Sequence, residues 1–125
     1  MAKSLTELPS LYLMDLDGTM IKHQGNLVDI TNLDKEQLLP GVQEFLEQRA
    51  LNCDKLIIVT GRPESFRKFT EEQLFRLGIH YDQLIMGVGR GRRFLINDSK
   101  PDINEHTAIG ITVPRNGGLE HLING

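Results

Sequence analysis

A chain of 125 residues, 39% hydrophobic and 25% charged, has material for one core and not for two, so a single domain from Met1 to Gly125 is expected. A formal net charge of −3 argues against a broad nucleic-acid-binding surface, and one cysteine, Cys53, excludes an internal disulfide and is expected as a half-buried structural thiol. No stretch approaches transmembrane length, and residues 1–10, with Lys3 and Glu7 and no long apolar core, make a poor signal peptide; a cytoplasmic protein without membrane contact is the expectation.

The first element is an apolar strand, Leu11-Tyr12-Leu13-Met14, that runs into Asp15-Leu16-Asp17-Gly18-Thr19. Side chains two apart on a strand lean to the same side, which sets Asp15 and Asp17 together, and Gly18 permits a turn. Paired carboxylates repel unless a hard cation or a shared proton separates them, and Mg²⁺, with its preference for oxygen, is the expected cation. One carboxylate can then serve as nucleophile and the other as general acid/base. The segment 20–39 is polar and irregular, and His23 is the histidine placed there to touch a substrate.

Pro40-Gly41 opens a predicted helix over 42–51, with Val42, Phe45, Leu46 and Arg49 at helical spacing. A second β-branched strand, 55–60, stops at Thr60-Gly61-Arg62, and a helix over 63–78 carries Phe66, Phe69, Leu74 and Leu77 as its stripe, with Gly78 as its stop. Further strands are predicted over 83–86, 92–96 and 107–113, with a short tail near 119–123. Gly87-Val88-Gly89-Arg90-Gly91 has neither dinucleotide nor Walker spacing and reads as a tight connection from which Arg90 can reach a substrate. The third run ends in Asn97-Asp98-Ser99-Lys100-Pro101-Asp102, with acidic residues four apart. His80, His106 and His121 have no metal spacing. Strands alternating with helices predict an α/β, Rossmann-like domain: a parallel sheet with helices on both faces.

The Asp15-Leu16-Asp17-Gly18-Thr19, Thr60-Gly61-Arg62 and Asp98-to-Asp102 segments, in this order, resemble the motifs of the haloacid dehalogenase superfamily, and the likeness runs from about Leu11 to Val113. Its members are mostly Mg²⁺-dependent phosphohydrolases that act through an aspartyl-phosphate. The resemblance implies that Asp15 is the nucleophile and Asp17 the acid/base. Thr60, Gly61 and Arg62 hold the phosphoryl group at a helix N-terminus, and Mg²⁺ is bound by Asp15, Asp98 and the main-chain carbonyl of Asp17. Asp102 is then either a ligand through water or a residue that fixes the loop.

The family's third motif, a Lys or Arg that neutralises the phosphoryl charge, departs from its usual form, since no lysine lies between Lys68 and Lys100. Lys100 is favoured for that role, with Arg90, Arg92 and Arg93 as alternatives. Neither gap between motifs can hold a folded cap domain, so the resemblance implies a capless, open site, reached by a large substrate or closed by a second copy in a homo-oligomer. Tyr81-Asp82-Gln83-Leu84-Ile85-Met86-Gly87 and Leu95-Ile96-Asn97-Asp98 look like small bacterial members linked to surface-sugar pathways. The expected activity is therefore hydrolysis of a small phosphorylated metabolite such as a sugar phosphate, with a nucleic-acid partner not expected. The alternatives are a phosphatase of nucleic-acid ends or phosphoprotein, a phosphotransferase, and an idle binding module.

Overall fold

Three parallel strands organise the chain, in the order in which they are synthesised. In the computed structural model, which describes residues 8–123, β1 (Leu11–Asp15), β2 (Lys55–Val59) and β3 (Gln83–Ile85) form one sheet in the order β1-β2-β3. Most of the segment read as a poor signal peptide lies outside the described residues. The register pairs Tyr12 with Leu56, Met14 with Ile58 and Ile58 with Leu84, which puts all five side chains on one face. That face meets the core, where Met14, Leu56, Ile58 and Leu84 are buried with Val42, Phe45 and Leu74.

Between β1 and β2 come a single helical turn, α1 (Leu27–Ile30), and the helix α2 (Val42–Leu51); α3 (Arg67–Arg76) joins β2 to β3 after a 3₁₀ turn at Glu64–Phe66. Val42 and Phe45 are the buried residues of α2, and the Phe45 ring meets Tyr12 edge-on at 5.5 Å. Arg49 on the next turn lies over both rings and donates to the Tyr12 hydroxyl at 2.7 Å. In α3, Leu74 is the buried apolar anchor, whereas Phe69 and, at the two ends of the helix, Phe66 and Leu77 are only half-buried.

Helices were expected on both faces of the sheet, and the structure corrects this. Strands laid down in sequence order step sideways in the same direction twice, and right-handed crossovers then carry both connecting helices over the same face. The opposite face is left with Leu11, Leu13 and Ile85 exposed at 55%, 47% and 42%. The predicted strands over 92–96 and 107–113 do not form either. They find no ladder partner, and Phe94, Ile96 and Ile109 stand 77%, 91% and 68% exposed, so β-branched content alone did not make strands of them. Cys53 is also exposed, at a left-handed φ of 61° just past the end of α2. No helix among the described residues is long and apolar enough to cross a membrane.

The turn over 114–120 closes onto the start of α2. Leu119 N–H donates to the Pro40 carbonyl at 2.8 Å, and the backbone approach is so close that a Cβ on Gly118 (φ +78°) would lie 2.3 Å from that same oxygen. Gly118→Ala should therefore combine left-handed strain with a backbone clash and lower stability by about 2–4 kcal/mol. Urea unfolding of the two proteins measures it, and a loss within error of zero would show that the 114–120 turn does not hold this contact.

Candidate active site

The carboxyl ends of parallel strands share one sheet edge, where a crevice for ligands is usual in open α/β sheets. Asp15 closes β1 at this edge, and the chain then doubles back on itself. The Leu16 carbonyl accepts N–H groups of Thr19, Met20 and Ile21 at 3.2, 2.9 and 3.1 Å, while Gly18 N–H donates to the Ile21 carbonyl at 2.7 Å. Burial of Leu16, Met20 and Ile21 anchors this loop in the core. Asn116 clasps it from outside: its N–H donates to the Gly18 carbonyl at 2.8 Å, and its Oδ1 accepts the His23 N–H at 2.8 Å.

Asp17 is held by Arg62. Nε and Nη2 of the guanidinium donate to the two carboxylate oxygens at 2.9 and 2.8 Å, and Nη1 donates to Thr70 Oγ1 at 3.0 Å and Gln73 Oε1 at 2.7 Å. The Arg62 side chain is 2% exposed and that of Asp17 17%. A forked, planar donor is suited to this two-pronged geometry, and four engaged donor directions account for its burial. Arg62, expected to hold the phosphoryl group, is thus committed to orienting Asp17. The network runs on through Gln73 Nε2, which donates to Glu36 Oε1 at 2.9 Å, an oxygen that also accepts from Arg76.

Asp15 has no such partner. The residue is open to solvent, yet protein packed around its carboxyl withdraws enough water to raise its pKa above the ordinary value. The Leu16 N–H opposes this, the charge of Asp17 adds to it, and Arg93 and His23 act in the lowering direction. One carboxylate is therefore fixed and ion-paired while its neighbour is accessible and unpaired. This division suits a nucleophile beside a positioned acid/base.

The other predicted residues are spread more widely. Thr60 is buried, and its hydroxyl accepts the Arg62 N–H at 3.2 Å; Gly61 is exposed beside the Val88 carbonyl. Asp98 and Lys100 pair with each other on an exposed loop, and this contact lowers the Asp98 pKa. Asp102 is exposed on the same loop. Without a strand over 92–96, nothing carries these three to the sheet edge, and the described residues contain no group of three His, Cys, Asp or Glu able to hold a metal ion. The Asp17 carboxylate is filled by Arg62, which leaves the Asp15 carboxylate and the Asp17 main-chain carbonyl as the oxygens that the resemblance implies for Mg²⁺ at this edge. The ligand set Asp15, Asp17, Asp98 and Asp102 is accordingly not assembled.

Four contributors lay outside the sequence reading. Thr70 and Gln73 flank Leu74 on the inner side of α3, and a polar pair on a helix's buried side is the signal that a buried donor needs them. Asn116 sits in a Pro114-to-Gly118 turn whose composition announces a bend but not its destination. Arg115, exposed, crosses the Asp15 loop so closely that a Cβ on Gly18 would lie 3.3 Å from its Cγ.

No family model matches the chain, and neither does any curated protein. Among solved structures, a chain of the Pnkp1/Rnl/Hen1 complex superposes with a TM-score of 0.55 at 30% identity, covering 70% of this chain and 31% of its own length. A second structure, of the Pnkp1/Rnl/Hen1 RNA repair complex, gives a TM-score of 0.55 and 30% identity over 74% of this chain and 30% of the other. The chain thus spans under a third of the chains it matches.

Two outcomes follow for stability. Arg62→Ala leaves Asp17 and the inner side of α3 without their donor and should cost about 3 kcal/mol in urea unfolding, while Arg62→Lys, lacking the fork, should recover less than half. For Asp15, the folded state takes up protons more readily than the unfolded chain, so stability falls as pH rises through the interval above 3.8. Asp15→Asn should therefore raise Tm at pH 7 and lose that advantage below pH 3.8; an unchanged Tm at both would contradict the crowding of its carboxyl.

Proposed function

We propose that this chain is a phosphomonoesterase of the haloacid dehalogenase type that acts on the phosphorylated end of a nucleic acid. The single observation that supports the chemistry most is the unequal pair at the end of β1, with Asp17 locked by Arg62 and Asp15 left open. In this reading Asp17 enters the cycle as the carboxylic acid with one of its two Arg62 contacts released; an Asp15 oxygen attacks phosphorus in line, the bond from phosphorus to the leaving oxygen breaks, and the freed Asp17 oxygen gives that leaving oxygen its proton. Asp17 next takes a proton from water as the water oxygen attacks the aspartyl-phosphate, which releases inorganic phosphate and restores Asp15. Arg62 keeps Asp17 aimed throughout. Arg93 brings positive charge toward the reacting group.

The choice of substrate is supported by two things. Among the described residues no folded cap covers the sheet edge, and the neighbours at 30% identity are chains of an RNA repair complex. Both favour a macromolecular substrate over the small sugar phosphate expected from sequence. The overall charge of −3, which argued against nucleic acid, is an average over the chain and says little about one edge of it.

Phosphate release should be measured from single-stranded oligonucleotides phosphorylated at either end and from a hexose phosphate. The expectation is a kcat/KM on one of the strand ends at least about a hundredfold above that on the sugar, and a loss on the order of a hundredfold or more in Asp15→Asn. Turnover of the hexose phosphate alone would return the reading to a small metabolite.

A further inference from the structure

The segment that leaves β3 carries features the fold does not use. No acidic residue lies between Asp82 and Asp98, and Arg90, Arg92 and Arg93 cluster among Gly87, Gly89 and Gly91. All three arginines are exposed, and none forms a salt bridge with a described residue. A Cβ at Gly89 or Gly91 would meet nothing within 4 Å, and neither residue sits at a positive φ. Neither packing nor backbone conformation therefore calls for glycine at these positions, whereas close approach of a ligand to the main chain does. Phe94 follows directly, 77% exposed and outside the core.

The segment is rooted at the candidate site. Gly87 N–H donates to the Arg62 carbonyl at 2.8 Å and Val88 N–H to the Thr60 carbonyl at 3.3 Å, so the basic run starts from the loop that holds Asp17. Arg93 comes near enough for its charge to act on Asp15. Arg115 stands beside the Asp15 loop, over Gly18.

We propose that residues 87–94, together with Arg115, form a track for single-stranded nucleic acid that delivers the end of the strand to Asp15. Only the delivery of a phosphorylated end rests on the phosphomonoesterase reading; strand binding is independent of it. Arginines at short intervals meet successive backbone phosphates, bare glycine backbone lets the strand approach, and Phe94 offers a face on which a base stacks. A phosphopeptide would use the arginines but has no need of the neighbouring exposed ring.

Fluorescence anisotropy of a labelled single-stranded RNA of about 12 nucleotides, titrated with the full chain over a range of salt, tests this. Each phosphate contact to a single strand adds about 0.7 to the slope of log K against log salt, so Arg90→Ala/Arg92→Ala should reduce that slope by about 1.4. Phe94→Ala should weaken binding about tenfold with the slope retained. Urea unfolding of Arg90→Ala/Arg92→Ala should match the parent's, since both side chains are exposed. RNA affinity and slope equal to the parent's in both variants would overturn the proposal. So would a parent that prefers a phosphopeptide of similar charge, or a Phe94→Ala effect confined to self-association. Binding lost in the variants while the parent hydrolyses no phosphomonoester would uphold the track and defeat the phosphomonoesterase reading; hydrolysis of p-nitrophenyl phosphate without RNA binding would do the reverse.

Discussion

The pairing of Arg62 with Asp17 constrains more of this protein than any other contact. A guanidinium with 2% of its side chain exposed is stable only if its donors are met, and the partners come from three places: the Asp17 carboxylate, Thr70 and Gln73 on α3. The polar inner side of α3 follows from this requirement. Gln73 then passes its amide hydrogen to Glu36, which also accepts from Arg76, so the segment after β1 is tied to α3 through the same network. Removing one member leaves a buried charge uncompensated, which makes the group interdependent rather than a sum of separate bonds.

Fixing Asp17 in this way leaves Asp15 as the unsatisfied charge. Its neighbours withdraw solvent and Asp17 adds repulsion, while Arg93 and His23 act on it in the opposite direction without a salt bridge. Such an arrangement is unfavourable for stability and useful for chemistry, because an accessible carboxylate that is not neutralised by its own protein is free to meet an electrophile. Asn116, by holding both Gly18 and His23, keeps the loop from relaxing away from this geometry.

The sheet explains why the edge stays open. With β1, β2 and β3 in sequence order, both long helices fall on the Met14–Ile58 face, and β1 remains an edge strand. The residues that the sequence suggested would extend the sheet, 92–96 and 107–113, instead run exposed past it. Their exposure leaves the arginine-rich segment 87–94 open to solvent beside the site.

Much of the frame was legible from residues alone. Val42–Leu51 was bounded by Pro40-Gly41 and an apolar spacing, the strands at Leu11, Lys55 and Gln83 by short apolar runs, and Gly78 by its place at a helix end, because each of these signals is local. The closeness of Asp15 and Asp17 was legible for the same reason, a spacing of two along a strand. What depends on distant pairing was not. The role of Arg62 turns on residues 45 positions before it and 8 and 11 after it, and the clasp of Asn116 on His23 spans 93 positions. Likewise the runs at 92–96 and 107–113 have the composition of strands but lack neighbours, since a strand exists only when another accepts its hydrogen bonds. Local pattern therefore determined which segments are helix or strand and where the carboxylates stand; only the tertiary structure decided which carboxylate is held, which is free, and what reaches the open edge.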